Sequence, residues 1–203
     1  DSASTNADTT ANIAGLAFTD VQALTIAMGA NGIDSSADLT GADLETVTVT
    51  GSGALDLNGN TITGDATNRV TLDASAVEGI VTMALDGTSN AVATVSTGSA
   101  ADAVTISGIS GATGGFDLST NAGADTITVT TAGDGATASF AINGGTGSDT
   151  LRIADDVDLS DSTVSLTSVE ILDFEEDGSV SSALVSGKSF IIDTDGSTAL
   201  DMT

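Results

Sequence analysis

The chain has 203 residues, with 29 acidic side chains against three basic ones, and its formal net charge is −26. A surface this acidic repels nucleic acid and anionic membranes, because both must be neutralised by positive charge. We therefore expect no nucleic-acid partner and no insertion into a membrane. The chain contains neither Cys nor His, which excludes disulfides, thiolate metal sites and a Ser-His-Asp triad.

The composition predicts a folded chain with a thin core. Hydrophobic residues make up 40% of the sequence and the mean hydropathy is +0.25, which speaks against disorder despite the charge. The apolar residues are mostly small aliphatics, with five Phe and no Trp or Tyr. We expect one domain over residues 1–203, forming a segment of a longer chain.

Short apolar pairs, separated by one residue, recur along the chain in two interleaved series. The first series consists of Leu24/Ile26, Val47/Val49, Val70/Leu72, Val92 to Val95, Phe116/Leu118, Phe140/Ile142 and Val164/Leu166. The second consists of Val81/Met83, Val104/Ile106, Ile127/Val129 and Leu151/Ile153. Successive members lie about 23 to 24 residues apart, and a period of that length is typical of a solenoid.

Two alternating segments per repeat predict an all-β parallel β-solenoid (a β-roll or β-helix) with two strands per turn. The gaps are rich in turn-forming residues and too short for a crossover helix. An antiparallel sandwich of many short strands is the competing architecture. We favour the solenoid because each segment matches the next but one, which a meander gives no reason to expect.

Residues 143–153, NGGTGSDTLRI, fit the nonapeptide G-G-x-G-x-D-x-U-x of calcium-binding parallel β-rolls. Gly144, Gly145 and Gly147 permit a tight loop with outward carbonyls, and Asp149 adds a carboxylate. Converging oxygen atoms suit calcium, which takes six to eight oxygen ligands. The alternative is a glycine-rich hairpin turn, which needs fewer special residues than are present.

An aspartate stands two residues before the first apolar position in three successive repeats, at Asp102, Asp125 and Asp149. In a parallel ladder these carboxylates lie about 5 Å apart. They then repel each other by about 1 kcal/mol per pair even in a water-like dielectric. We therefore expect calcium ions between them, which makes metal binding part of the folding free energy.

Other acidic stretches are less specific. Residues 193–197, DTDGS, resemble the start of an EF-hand loop, so Asp193 and Asp195 are candidate calcium ligands although the closing Glu is missing. The acids at 155, 156, 158 and 161 indicate either a rim site or a solvated loop. A paired-carboxylate glycosidase site is disfavoured, because the sequence offers no aromatic platform on which a sugar could stack. We expect no enzyme.

Further segments carry a family resemblance. They are FTDVQALTIA from Phe18, GADLETVTVT from Gly41, LDASAVEGIVTMAL from Leu72 and LTSVEILDFE from Leu166. Together with the nonapeptide, they make the chain similar to the RTX-type, calcium-dependent surface-layer (S-layer) proteins of Gram-negative bacteria. The resemblance covers residues from about 15 to 175. The nonapeptide is its most specific part, and the acidity of this chain exceeds the family pattern.

The resemblance implies calcium in the turns over residues 98–153. By position, the ligands would be the carboxylates of Asp149 and Asp125 and the carbonyls around Gly144, Gly145, Gly147, Asn121 and Gly123. It also implies type I secretion to the cell surface and calcium-triggered self-association into a sheet or filament. Residues 176–203 would be a terminal cap or assembly segment, and other parts of the parent chain would contact a cell-surface glycan.

Three functions remain open at this point. The first is a structural building block of an extracellular layer or filament, with calcium as its cofactor. The second is a calcium-binding stalk or adhesin repeat that holds another domain away from the cell. The third is the RTX tail of a secreted hydrolase.

Overall fold

Apolar residues alternate with polar ones in each short segment, and in the structure these segments are strands that stack in parallel. The computed structural model describes residues 11–12, 16–34, 38–58, 62–63, 69–86, 92–107, 115–130, 139–154, 157–159, 163–175, 179–186, 188–194 and 201–202. Every strand pair among them is parallel, and the partners come from successive coils of the chain. The predicted all-β parallel solenoid is confirmed.

The larger of two main sheets has nine strands, one from each successive coil. In spatial order they are β1 (Ala11–Asn12), β4 (Ile33–Asp34), β7 (Leu55–Leu57), β10 (Val81–Asp86), β12 (Ala103–Ser107), β15 (Thr126–Val129), β18 (Thr150–Ile153), β21 (Ile171–Phe174) and β23 (Ile191–Thr194). The spatial order equals the chain order, as coil-on-coil stacking requires.

The second main sheet has seven strands. They are β3 (Ala23–Met28), β6 (Thr46–Gly51), β9 (Val70–Val77), β11 (Val92–Ser96), β13 (Asp117–Ser119), β16 (Ser139–Asn143) and β20 (Thr163–Thr167). The chain alternates between the two main sheets, which gives the predicted two strands per turn.

Three small sheets lie on the connections between the main sheets. One contains β2 (Leu16–Phe18), β5 (Leu39–Gly41) and β8 (Ile62–Thr63); another contains β14 (Ala122–Gly123) and β17 (Thr146–Gly147); the third contains β19 (Asp158–Leu159), β22 (Ser179–Val180) and β24 (Asp201–Met202). Most coils therefore carry a third short strand, and the predicted two strands per turn describe only the two main sheets. The apolar pattern does not reveal the third strand because two or three residues are too few to show a period.

The core lies between the two main sheets. Inward and outward residues alternate along β6 and β15, and the inward side chains of Val47, Val49, Ile127 and Val129 are buried. Each fully buried aliphatic contributes about 1.5–3 kcal/mol of hydrophobic free energy. The rings of Phe116 and Phe140 meet edge to face, with centroids 5.0 Å apart.

The register of the repeats is as predicted in the later coils and between Leu24 and Val47, and it differs by two residues at two steps between them. Ile127 pairs with Leu151 as expected, but Val104 pairs with Met83 rather than Val81, and Val47 pairs with Leu72 rather than Val70. A shift of two residues leaves every inward side chain inward. Hydrophobic alternation along the longer strands β9 and β10 therefore cannot distinguish the two registers.

At the C-terminal end of the stack, the described residues cover the seven-stranded sheet and leave the last strand of the nine-stranded sheet exposed. A single helical turn, α1 (Ser182–Val185), is capped by Ser181 and packs beside β20. Lys188 Nζ donates to the carbonyl of Leu166 in β20 at 2.6 Å. By contrast, β23 ends the nine-stranded sheet with Ile191 and Ile192 exposed by 65% and 47%. None of the helices described is long and apolar enough to cross a membrane.

Candidate metal centre

Three aspartates form a buried column along one corner of the solenoid. Asp102, Asp125 and Asp149 each stand directly before a strand of the nine-stranded sheet. The strands that follow them, β12, β15 and β18, pair in register. Their exposed fractions are 2%, 1% and 0%. The structure therefore brings together the three carboxylates that the sequence singles out.

Each carboxylate in this column accepts a hydrogen bond from the backbone of the preceding coil. Asp149 Oδ1 accepts from the N–H of Asp125 at 2.9 Å, and Asp125 Oδ1 accepts from the N–H of Asp102 at 2.8 Å. Asp102 Oδ1 accepts from the N–H of Val81 at 2.8 Å. A peptide N–H therefore lies between each carboxylate and the next. The sequence predicts repulsion between these acids but does not predict these donors. These charge-assisted bonds offset part of the cost of burial.

Glu170 extends the column by one coil, and sequence reasoning missed it. Its Oε2 accepts from the N–H of Asp149 at 2.9 Å. The residue after it, Ile171, pairs with Thr150, so Glu170 occupies the position equivalent to Asp149. The signal was an acidic residue directly before an apolar strand, but it stands 21 rather than 24 residues after Asp149 and outside a glycine-rich turn.

The second oxygen of each carboxylate distinguishes the three aspartates. Asp102 Oδ2 accepts from the N–H of Gly98 at 3.1 Å. Asp125 Oδ2 and Asp149 Oδ2 are buried and have no hydrogen-bond partner. A buried polar atom without a partner costs about 1–3 kcal/mol, and more if it is charged. Two adjacent coils therefore each carry an uncompensated oxygen atom at this corner.

The electrostatics of the column disfavour its charged form. Burial raises the pKa of Asp102, Asp125 and Asp149 above the ordinary value of an aspartate, and backbone hydrogen bonds oppose that shift. The nearby hydroxyls of Thr97 and Thr120 also lower the pKa of Asp102 and Asp125, although each hydroxyl donates its proton to a backbone carbonyl. For Asp149, burial comes first, and the neighbouring charges of Asp125 and Glu170 raise the pKa further. A cation or a proton at this corner would lower the electrostatic free-energy cost of these buried charges.

The glycine-rich turns stack directly on one another. Ala122 pairs with Thr146 and Gly123 with Gly147, and the N–H of Thr146 donates to the carbonyl of Asn121 at 2.7 Å. Gly147 has a φ of +148°, and a Cβ there would lie 1.5 Å from the carbonyl oxygen of Gly123. No other residue fits this contact without moving the backbone.

The carbonyls of these turns are partly used by the stack. The carbonyl of Asn121 accepts from Thr146, and that of Gly144 accepts from Thr120 Oγ1 at 2.9 Å. Asn121 has a φ of 61°, and its side-chain Nδ2 donates to the carbonyl of Thr97 at 2.5 Å. Each carbonyl oxygen keeps a second lone pair, so a cation could still be bound beside the hydrogen bond.

The corner formed by residues 121–125 and 144–149 fits a hard cation. A Cβ at Gly144 would lie 2.1 Å from the carbonyl oxygen of Ser168 and 2.7 Å from Asp149 Oδ2, so only glycine lets the backbone approach this carboxylate oxygen so closely. Among the described residues no group of three acidic side chains is placed to hold a metal, so backbone carbonyls must complete the coordination. Both oxygens of Asp102 already accept hydrogen bonds, and its assignment as a ligand stays a prediction.

The other acidic candidates lie elsewhere. Asp193 pairs with Asp173 across β23 and β21, in a strand of the nine-stranded sheet beyond the column. Asp173 Oδ2 accepts from Arg152 Nε at 2.8 Å. Asp195 lies outside the described residues, as do the acids at 155, 156, 161 and 177. The EF-hand-like prediction for residues 193–197 therefore stays a prediction.

The chain matches no protein-family model, and no curated protein and no solved structure is significantly similar to it.

Proposed function

We propose that this chain is a calcium-stabilised structural building block of an extracellular surface layer or filament. It would be secreted by a type I route and would self-associate on the cell surface, with a glycan contacted by other parts of the parent chain. The resemblance to RTX-type S-layer proteins supports the setting. The architecture supports the structural role, since a stack of coils presents repeated surfaces along its length.

One observation carries the proposal: the corner with the intact nonapeptide holds two buried carboxylate oxygens without partners, in adjacent coils. Asp125 and Asp149 would hold the ion together with carbonyl oxygens of the turns around Asn121, Gly123, Gly144, Gly145 and Gly147. A bound Ca²⁺ supplies positive charge between two buried acids. The ion would then join one coil to the next, so that its binding free energy adds to the stability of the stack.

Calcium addition to metal-free protein tests this function. Purified chain treated with a chelator is supplied with millimolar Ca²⁺, and we expect a cooperative gain in strand signal by circular dichroism followed by ordered polymers in negative-stain electron microscopy. Mg²⁺ at equal ionic strength is the control. It should fail to replace Ca²⁺, because it demands octahedral geometry and gives up its water reluctantly.

The polymer distinguishes the structural role from its alternatives. A chain that binds Ca²⁺ and folds but stays monomeric at every concentration would contradict the building-block proposal. That result would favour a stalk repeat or the tail of a hydrolase. A chain that binds no Ca²⁺ at all would remove the cofactor from the proposal.

A further inference from the structure

The two halves of the acid column are compensated differently. Asp102 accepts two backbone N–H groups, one from Val81 and one from Gly98. Asp125 and Asp149 accept one backbone N–H each and leave a buried oxygen without a partner. The free-energy cost of the buried charge therefore lies mainly in the coils that follow Asp102.

The coils around Asp102 also have a cation of their own. Arg69 precedes β9, and its Nη2 donates to the carbonyls of Val92 and Gly115, which belong to the next two coils. One guanidinium thus joins three consecutive coils, the last of which contains β13 and Asp125, and its own buried Nε has no hydrogen-bond partner. A fixed side-chain cation in contact with backbone carbonyls contributes to stability without any added metal.

The later coils have a different arrangement. Their basic groups are Arg152, whose side chain pairs with Asp173 at 2.8 Å and approaches Glu175 at 3.5 Å, and Lys188, whose Nζ donates to the carbonyl of Leu166 at 2.6 Å. Arg152 is 41% exposed and lies on the outward side of β18, whereas Leu151 and Ile153 face the core. Its charge does not compensate Asp125 Oδ2 or Asp149 Oδ2, both of which have no partner.

From this contrast we infer that calcium dependence is confined to the later coils, and that the coils closed by Asp102 hold together without a metal ion. The self-sufficient coils contain β9 to β12, and the calcium-dependent coils contain β15 to β21. The inference rests on the proposed calcium site. Removing the ion should open only the second group, because local opening relieves its buried charges while the first group has little to gain.

Hydrogen–deuterium exchange on the full chain tests the boundary. Amide exchange is followed by mass spectrometry in Ca²⁺ and in excess chelator. We expect exchange in β15 and β18 to become at least about tenfold faster in chelator, while exchange in β10 changes by less than about twofold. The number of Ca²⁺ ions bound per chain is measured in parallel by equilibrium dialysis.

Two matched substitutions separate the halves of the column. In Asp149→Asn the amide oxygen can still accept from Asp125 N–H, and the amide nitrogen replaces the oxygen without a partner. We expect fewer bound Ca²⁺ ions and no effect of chelator on β15 and β18. In Asp102→Asn one of two N–H donors loses its acceptor, so stability should fall equally with and without Ca²⁺ while the number of bound ions is unchanged.

The outcomes can be told apart. Faster exchange spread evenly from β10 to β21 in a chain that binds Ca²⁺ would overturn the boundary and leave the proposed function standing. The same applies if Asp102→Asn removes as many ions as Asp149→Asn. A wild-type chain that binds no Ca²⁺ overturns both. If Asp102→Asn does not fold, the wild-type exchange map decides the question alone.

Discussion

At the scale of single residues, the aspartates of this protein act first as hydrogen-bond acceptors for the backbone. Asp125 Oδ1 and Asp149 Oδ1 each accept a peptide N–H from the preceding coil at 2.8 and 2.9 Å. The same residues are the ones that the nonapeptide pattern assigns to calcium. Both roles are compatible, because a carboxylate has two oxygen atoms and each of these side chains uses only one.

Acid should stabilise the calcium-free chain. Burial raises the folded-state pKa of Asp102, Asp125 and Asp149 above the ordinary value of 3.8. The folded state then binds more protons than the unfolded state over the interval between those values, so the free energy of unfolding falls as pH rises through it. Urea unfolding in calcium-free buffer should show that stability falls as pH rises from about 4 to about 7.

The general repulsion among surface acids acts in the same direction, so a variant must isolate the column. Asp149→Asn removes one of the buried groups and keeps an acceptor for the N–H of Asp125. Its stability should depend less on pH than that of the wild type. An equal pH dependence in both chains would contradict the assignment of the effect to the column.

Gly147 tests the close stacking of the turns. Gly147→Ala places a Cβ 1.5 Å from the carbonyl of Gly123 at a φ of +148°, so the two turns must separate. We expect a loss of about 1–3 kcal/mol in the free energy of unfolding and weaker Ca²⁺ binding, measured by urea unfolding and calorimetry. Ser148→Ala, at an exposed neighbouring position, is the control and should change neither quantity.

At the scale of strands, the inward positions were predictable and the register was not fully so. Apolar alternation identified the buried side chains of β15 and β18, because a strand with one buried face has a period of two. The sequence does not predict that Met83 pairs with Val104, because a shift by two residues, one whole period, leaves the apolar alternation unchanged. The hydrogen bond from Val81 N–H to Asp102 fixes the observed alignment, and only the structure displays it.

Core truncation should be costly in spite of the thin core. Leu151 is fully buried between paired Ile127 and Leu172. Leu151→Ala should lower the free energy of unfolding by about 2–5 kcal/mol, because the stack cannot close the cavity without moving a ladder. Thr128→Ala, on the outward side of β15, is the control, with an expected change within about 0.5 kcal/mol. Equal effects would contradict the observed facing of these strands.

At the scale of the whole molecule, the net charge of −26 opposes the compact fold. The chain carries twenty-nine acids and only three basic groups, and two of the basic groups, Arg152 and Lys188, lie in the later coils. The sequence was sufficient to predict the solenoid and the stacked aspartates, since both follow from a period. It did not reveal Glu170 or the helical turn α1, because each occurs where the repeat breaks off.

Salt and calcium should stabilise the chain by different amounts at equal ionic strength. Sodium chloride screens exposed charges over a Debye length of about 10 Å at 0.1 M, and it should raise the midpoint of urea unfolding gradually. Ca²⁺ at matched ionic strength should raise it further and should saturate, because it occupies a defined site. Indistinguishable effects of the two salts would argue for screening alone.

Each aspartate N–H in the column donates to a carboxylate of the adjoining coil. The stack can therefore be extended by whole coils. A tandem duplication of residues 126–149 placed after Asp149 would present Thr126 where Thr150 now begins, and a second Asp149 where Glu170 now accepts. Every donor would find the same kind of acceptor as before. Duplication or deletion of such repeats can therefore change the length of the solenoid by whole coils, each adding about 4.8 Å, while the existing contacts stay as they are.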